Sequence, residues 1–343
     1  MKTAIVTGGC SGIGLGLVKH LLSKQPDKDD GDDDDEWRVV IADLRPEAYE
    51  KVSSGLDPAR HKFIETDVAS WDSQLAMVKE AFSWSGGKID FFAANAGTAE
   101  GEHLLDPTKD DLDSDPTIPS MKCTQVNQVA VFYGLKMFVH YARVTNRALK
   151  KEAEARQKNG GGGGDGGGGE QQRRQAGKGQ YNPKFVITSS CSALYPFPIV
   201  VQYAATKASL VSLVRSVGRN LLASDNVAVN CIMPAYVDTG LTPNEVTELW
   251  PREWVTPLGT MNRAYDELIS EDGTVQQDGK SDGRNNKIKA GKCVECVVDR
   301  LYYRRGVEFA DKSQKFLIEE SFHPDGVWMR GMMERERKGG YAG

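Results

Sequence analysis

The sequence predicts an α/β protein with a doubly wound parallel sheet, on three observations. Short apolar runs rich in β-branched residues alternate with helical patterns along the chain. The runs are apolar at nearly every position, which is typical of strands buried on both faces. With 343 residues, 39% of them hydrophobic, the chain can bury one large core. We therefore expect a single domain over residues 1–343, with right-handed crossovers.

Each element follows from its local pattern. The predicted strands are Thr3–Val6, Val39–Ala42, Lys62–Glu65, Ile89–Ala93, Phe185–Thr188 and Val227–Met233. Apolar residues recur every three or four positions in the predicted helices, which are 12–23, 71–83, 126–142 and 203–222. Lys315–Glu319 is expected to supply the last strand, and 325–343 predicts no element. Cys293 and Cys296 are expected to be structural cysteines on a further helix, because a zinc site needs two more ligands.

Two segments have the composition of surface inserts. Residues 27–36 hold eight acidic residues and one lysine, and nine of the ten residues in 160–169 are glycine. Self-repulsion in the first and ordering entropy in the second predict disorder across 27–36 and most of 150–180. Both lie in helix-to-strand connections, at the sheet edge opposite the one where ligands bind. Loop expansion is favoured over a partner-binding role.

Composition excludes several classes of protein. The net charge is −5, but the acidic run alone carries −7, so the rest of the chain is close to neutral at +2. A nucleic-acid partner is not expected without a concentrated basic face. No stretch approaches the roughly 18 apolar residues that a membrane helix needs. Six cysteines and the absence of a signal-peptide pattern at the start predict a cytoplasmic protein without a disulfide framework. No cluster of side chains predicts a metal site.

A glycine-rich turn joins the first strand to the first helix. Glycines permit a tight turn and close approach of the backbone to a phosphate, and the helix start offers free N–H groups. The residues that we expect to hold a dinucleotide here are Gly8, Ser11, Gly12, Ile13 and Gly14. Asp43 ends the second strand, where its carboxylate would accept hydrogen bonds from the ribose hydroxyls of NAD. Arg45 is the opposing signal, because it could reach the 2′-phosphate of NADP; NAD is favoured.

Further cofactor contacts are expected after the third and fourth strands. Asp67 and Val68 would flank the adenine, although Asp67 could instead be a helix N-cap. Asn95, Ala96 and Gly97 follow the fourth strand, and small residues there would let the backbone pass close to the cofactor.

A Tyr-x-x-x-Lys pair begins the helix predicted at 203–222. Tyr203 and Lys207 lie four residues apart and therefore share a helix face. A phenol has a pKa of about 10, and a neighbouring lysine cation would lower it enough for acid–base work. Ser190 ends the preceding strand and could hold a substrate oxygen; Ser189 and Ser192 compete, but the spacing to Tyr203 favours Ser190. Asn127 could complete a proton relay through water.

The substrate side of the sheet is expected to carry residues 240–290. This stretch follows the strand 227–233 and is too long for a plain turn. A substrate lid is favoured for 240–268, and a disordered loop with a few buried anchors is the alternative.

Together these motifs resemble the single-domain short-chain dehydrogenase/reductase family, which has a Rossmann fold. The resemblance covers residues 1–26, 37–150 and 181–240, and Pro234-x-x-Val237-x-Thr239 extends the motif set. It implies that Tyr203 is the general acid/base, that Lys207 lowers its pKa and binds the nicotinamide ribose, that Ser190 orients the substrate and that Asn127 supports the relay. Pro234, Val237 and Thr239 would lie at the carboxamide. The motif set and Asp43 are similar to the hydroxyprostaglandin-dehydrogenase-like group.

The resulting hypothesis is an NAD(P)-dependent oxidoreductase that interconverts a secondary alcohol and a ketone. The aromatic and apolar residues near the site favour an apolar small molecule, and a place in secondary metabolism is expected. The alternative is a catalytically inactive, cofactor-sensing protein on the same fold. The resemblance also implies a homodimer or homotetramer, paired through the helices 126–142 and 203–222.

Overall fold

A computed structural model describes residues 1–24, 36–101, 103–106, 108, 111–159, 181–285, 287–323 and 325–338. Its strands are β1 (Lys2–Thr7), β2 (Trp37–Asp43), β3 (His61–Glu65), β4 (Phe91–Ala94), β5 (Lys184–Thr188), β6 (Ala228–Pro234), β7 (Cys293–Val297) and β8 (Arg300–Arg304). Its helices are α1 (Gly12–Ser23), α2 (Pro46–Ser53), α3 (Trp71–Trp84), α4 (Lys122–Thr124), α5 (Ala130–Asn159), α6 (Val201–Asp225), α7 (Asn244–Leu249), α8 (Leu258–Ile269), α9 (Lys312–Lys315) and α10 (Val327–Arg337).

The strands form one sheet in the order β3-β2-β1-β4-β5-β6-β7-β8. All neighbours pair in parallel except β7 and β8, which are antiparallel. The strand order reverses beside β1, so the carboxyl ends of β1 and β4 border the crevice where such sheets bind ligands. The predicted doubly wound parallel sheet is confirmed.

A hydrophobic core lies on each face of the sheet because successive strand residues point to opposite faces. Along β4, Phe91 packs into one core and Phe92 into the other. The core with Phe92 includes Met77 of α3 and Phe138 of α5, and the core with Phe91 includes Leu17 of α1. Helices therefore cover both faces, as the continuous apolar strands predicted.

The region after β6 differs from the predicted lid. The helix α8 begins within the range 240–268, yet Met261, Ala264, Tyr265 and Leu268 are fully buried in the core that contains Phe91. Apolar side chains three and four residues apart give α8 one continuous face, and that face packs on the sheet and α1. The lid prediction is wrong for this helix.

Two predicted elements near the end of the chain are also wrong. Cys293 and Cys296 lie on the strand β7 rather than on a helix, although both are buried, unbridged cysteines. Residues 315–319 form a helical turn instead of the last strand. The final strands are β7 and β8. The strand β7 pairs in parallel with β6, and the chain then turns back so that β8 pairs with β7 in antiparallel.

The two inserts are described only in part. The helix α5 continues to Asn159, so the disorder expected from residue 150 is wrong for 150–159. Residues 27–35 and 160–180 lie outside the described residues. The chain divides into two compact units, Met1–Arg304 with the complete sheet and Arg305–Gly343 with α9 and α10. Among the described residues, no helix is both long and apolar enough to cross a membrane.

Candidate active site

The glycine turn fits tightly between β1 and α1. A Cβ on Gly14 would stand 2.2 Å from the carbonyl oxygen of Gly8, and a Cβ on Gly8 would stand 3.0 Å from the Cα of Ala96. Gly8 also has a φ of +65°, a region that favours glycine. Ser11, the N-cap residue of α1, makes no side-chain capping bond within the described part of the chain. The first N–H groups of α1 are thus available to an anion.

The segment after β6 meets this turn. The Cβ of Thr239 lies 2.8 Å from the position that a Cβ on Gly12 would take. Val237 packs against the core that contains Phe91, and Pro234 ends β6. Pro234, Val237 and Thr239, which the motif set placed at the nicotinamide, therefore follow β6 toward the glycine turn.

A hydrogen-bond network joins the carboxyl ends of the central strands. Thr7 Oγ1 accepts from the backbone N–H groups of Asn95 (3.0 Å) and Ala96 (3.1 Å), and Asn95 Nδ2 donates to the Thr7 carbonyl (3.1 Å). Thr188 Oγ1 bonds Asn95 Oδ1 at 3.0 Å and the Tyr265 hydroxyl at 2.9 Å. Thr7, Thr188 and Tyr265 are not among the predicted site residues; the threonines that end β1 and β5 were the available signal.

Asp43 is buried at the end of β2 and holds the glycine turn. Its carboxylate accepts from the backbone N–H of Cys10 at 3.1 Å and from that of Arg45 at 3.3 Å. The Arg45 side chain is exposed, and its Nε lies 3.9 Å from Asp43 Oδ1. A carboxylate and a guanidinium, which favour opposite cofactors, thus stand side by side.

Asp67 and Val68 lie at the carboxyl end of β3. Asp67 is exposed, and its carboxylate accepts from the backbone N–H of Ala69 at 2.9 Å. The N-cap of α3 is Ser70, whose side chain accepts from the N–H of Ser73. The N-cap interpretation of Asp67 is therefore wrong, and its carboxylate faces solvent at the edge where the adenine was predicted.

Asn127 lies in a π-helical turn, Gln125–Val129, between α4 and α5. Its side chain is fully buried and grips the backbone of Thr98: Oδ1 accepts from the N–H and Nδ2 donates to the carbonyl, each at 2.9 Å. A Cβ on Gly97 would stand 3.3 Å from Asn127 Oδ1 and 3.5 Å from Lys207 Nζ. The π-helical turn therefore brings Asn127 and the lysine to the same point beside Gly97.

Tyr203 and Lys207 lie on one face of the first turns of α6. Lys207 is buried, its Nζ lies 5.4 Å from the centre of the Tyr203 ring, and it donates to the carbonyl of Thr188 at 2.8 Å. Ser190 begins the turn after β5, and its Oγ accepts from the backbone N–H of Ser192 at 3.1 Å. Ser189 donates to the Lys207 carbonyl instead, and Ser192 is buried. These contacts support Ser190 over its two neighbours.

Burial dominates the titration of this pair. It raises the pKa of Tyr203 to about 12, against a smaller lowering by the side-chain hydrogen bond with Ser190. Burial also lowers the pKa of Lys207 to about 8. The sequence predicted a lowered Tyr203 pKa, and the chain's own residues do not produce one. Burial destabilises the phenolate more than the hydrogen bond with Ser190 stabilises it.

The segment between β6 and α8 supplies the aromatic side chains near the substrate side. The rings of Tyr236 and Trp250 stack at 4.0 Å, and the Tyr236 hydroxyl donates to Thr247 Oγ1 at 2.8 Å. The side chain of Trp254 is 63% exposed. The substrate lid stays a prediction for 240–257, whereas α8 belongs to the core.

Comparison with known proteins identifies the family. A family model described as short chain dehydrogenase matches residues 2–148 and 178–250, more than half of the chain. The chain belongs to this family. It is an NAD(P)-dependent oxidoreductase that acts on CH–OH donors.

Curated relatives cover most of this dehydrogenase. It is 27% identical to the short-chain dehydrogenase/reductase prx6 of Penicillium rubens, over 88% of this chain and 85% of that protein. It is 24% identical to the NADP-dependent dehydrogenase clz5 of Cochliobolus lunatus, over 69% and 71%. It is 26% identical to 5'-hydroxyaverantin dehydrogenase of Dothistroma septosporum, over 70% and 68%.

A solved structure shows the same fold. The 3-ketoacyl-(acyl-carrier-protein) reductase of Brucella melitensis, complexed with NADH, superposes with a TM-score of 0.56 and 19% identity. The match covers 79% of this chain and 92% of that one. The likeness to the hydroxyprostaglandin-dehydrogenase-like group stays a prediction, because these relatives do not specify the group.

Proposed function

We propose that this dehydrogenase interconverts a secondary alcohol and a ketone on an apolar small molecule, with NAD as cofactor and Tyr203 as general acid/base. The convergence of Asn127, Ser190, Tyr203 and Lys207 at one sheet edge, beside the glycine turn, carries the proposal. Hydride transfer needs a proton donor or acceptor at the substrate oxygen, and this is the group of side chains that could supply it.

The chain's own residues fit a dinucleotide. The backbone leaves no room for a Cβ at Gly14, Gly8 has a φ of +65°, and the Ser11 side chain does not cap the start of α1. We assign the cofactor contacts to Gly8, Ser11, Gly12, Ile13, Gly14, Asp43, Asp67, Val68, Asn95, Ala96, Gly97, Tyr203, Lys207, Pro234, Val237 and Thr239. When bound, the nicotinamide supplies or accepts the hydride.

Tyr203 moves the proton at the substrate oxygen. With a pKa of about 12 its phenol is protonated at neutral pH, so it can donate to the oxygen of a ketone that is being reduced. In the opposite direction the phenol must first lose its proton, so alcohol oxidation accelerates as the pH rises. Ser190 holds the same oxygen, and the Lys207 ammonium favours the phenolate that reduction leaves behind.

Lys207 and Asn127 position the reacting groups. Lys207 is anchored on the Thr188 carbonyl, which leaves its other N–H donors for a ribose hydroxyl. Asn127 fixes Thr98 and Gly97 beside that ammonium, where a water could link it to solvent. Tyr203, Lys207 and Asn127 thus form the proposed proton path to bulk water.

The substrate side favours an apolar compound. The loops that follow β4, β5 and β6 reach the same sheet edge and expose large apolar side chains, namely Leu104, Phe197, Ile199, Leu241, Leu249 and Trp254. The relative from Dothistroma septosporum is named for oxidation of a hydroxylated compound, which supports an alcohol–ketone couple and a place in secondary metabolism.

The cofactor preference rests on Asp43. Its buried carboxylate would accept from ribose hydroxyls and repel a 2′-phosphate. Arg45 offsets that repulsion in part, and one relative is named NADP-dependent. We also propose a homodimer or homotetramer paired through α5 and α6, and Phe132 of α5 exposes 41% of its surface.

Titration of the purified protein with NADH and, separately, NADPH tests the cofactor step by fluorescence. We expect tighter binding of NADH, followed by ketone-dependent oxidation of NADH across a panel of apolar ketones. Tighter binding of NADPH would show that Arg45 outweighs Asp43. Binding of neither cofactor would overturn the proposed function.

A further inference from the structure

The helix that carries Tyr203 has no local cap at its start. Its N-cap residue is Val200, whose apolar side chain cannot accept a hydrogen bond from the N–H groups of the first turn. The cap comes from a distant segment: Glu100 Oε1 accepts from the backbone N–H of Gln202 at 2.8 Å. A carboxylate at this end of a helix is also favoured by the helix dipole.

The two oxygens of the Glu100 carboxylate differ in their hydrogen bonding. Its second oxygen, Oε2, is buried and has no hydrogen-bond partner among the described residues. The bond to the Gln202 N–H therefore fixes the orientation of the carboxylate. Tyr203 follows Gln202 directly, so the capped turn is the one that presents the phenol.

The same segment is tied to Asn127. The Asn127 side chain grips both backbone groups of Thr98, two residues before Glu100. At the other end of the segment Glu100 caps Gln202, and Gln202 Nε2 also donates to the carbonyl of Ser120, outside the segment, at 3.1 Å. Residues 98–100 thus connect Asn127 to the first turn of α6 through hydrogen bonds at both ends.

We infer that Glu100 is a positioning residue that caps α6 and thereby fixes Tyr203 against Asn127 and the substrate. This inference rests on the proposed role of Tyr203. A first turn that loses its cap frays, and a fraying turn moves the phenol away from a geometry that proton transfer requires.

Three variants test the inference through turnover, NADH affinity and amide hydrogen exchange. Glu100→Ala removes the acceptor; we expect kcat to fall about fivefold to tenfold, with NADH affinity unchanged and fast exchange at the Gln202 amide. Glu100→Gln keeps an acceptor oxygen and is expected to preserve both readouts. Adding Val200→Ser to Glu100→Ala supplies a local cap, so turnover and Gln202 protection should both return.

Each contrary result has a definite meaning. Normal turnover in Glu100→Ala would overturn the inference. So would a double variant that regains Gln202 protection without turnover, because Glu100 would then act on the substrate directly. Loss of turnover in Glu100→Gln with the Gln202 amide still protected would show that the charge, rather than the cap, matters. If Tyr203→Phe kept full turnover, the proposed function would fail while the exchange data still reported on the cap.

Discussion

The glycine turn and the proposed catalytic residues are held in place by different physical means. The proposed catalytic residues are Asn127, Ser190, Tyr203 and Lys207. At Gly14 the restraint is steric: an added Cβ would stand 2.2 Å from the backbone carbonyl oxygen of Gly8. Tyr203 and Lys207 instead depend on side-chain hydrogen bonds and on burial.

This difference predicts different responses to mutation. A side chain added where the backbone leaves no space displaces the backbone itself. The loss of one hydrogen bond lowers stability only by the contribution of that bond. Thr188 joins the two regions, since its side chain bonds Asn95 beside the glycine turn and its carbonyl accepts from Lys207.

The largest effect is expected at Gly14. Gly14→Ala forces the added Cβ into the Gly8 carbonyl, and we expect NADH affinity to fall about 100-fold, or roughly 3 kcal/mol. Gly16→Ala is the matched control on the same helix, because its Cβ meets only the flexible end of Leu258 at 3.2 Å. Equal NADH affinities in the two variants, measured by titration, would contradict the steric account of the turn.

Thr188→Val tests the link between the regions. It removes a hydroxyl that bonds both Asn95 and Tyr265, and we expect the free energy of unfolding in urea to fall by about 2 kcal/mol. Tyr265→Phe loses one of those bonds and should cost about 1 kcal/mol. If Tyr265→Phe lowered the free energy of unfolding more than Thr188→Val, the Thr188 hydroxyl would not be the group that links the two regions.

Asp43→Asn tests whether the Asp43 carboxylate selects NAD over NADP. The amide keeps an acceptor for the Cys10 N–H but removes the charge that repels a 2′-phosphate. We expect the affinity for NADPH relative to NADH to rise about tenfold, or 1.4 kcal/mol. Arg45→Ala is the complementary variant and should weaken NADPH alone. An unchanged ratio in Asp43→Asn would remove Asp43 as the selector.

The smallest expected effect is the pH dependence of stability at Lys207. Burial lowers its pKa from 10.5 to about 8, so the cost of burying the ammonium is present in full below pH 8 and disappears as the pH rises toward 10.5. The wild type should therefore gain about 1 kcal/mol relative to Lys207→Met between pH 8 and 9. Parallel unfolding curves across this range would show that the lysine is solvated.

The parts of the site that sequence could predict are those encoded locally. The glycines of the turn and the four-residue spacing of Tyr203 and Lys207 each specify a geometry within one element. The structure brings those residues to one edge because the alternation of strands and helices fixes the sheet.

The rest depends on tertiary contacts. In 293–301 the apolar positions fit a helix as well as a strand, and only pairing with β6 decides between them. The β7–β8 turn is two residues long, with Val298 at a φ of +52°, so it lacks the Asn-Gly signal of such turns. The bond between Glu100 and Gln202 spans 102 residues and has no local pattern.

The role of Tyr203 is tested most directly by Tyr203→Phe, assayed for turnover and for NADH affinity on the same preparation. The ring is kept and only the hydroxyl is lost, so the packing of α6 is preserved. We expect kcat to fall about 1,000-fold while the dissociation constant for NADH stays the same. A variant that turns over at the wild-type rate would contradict the role of Tyr203 as the general acid/base.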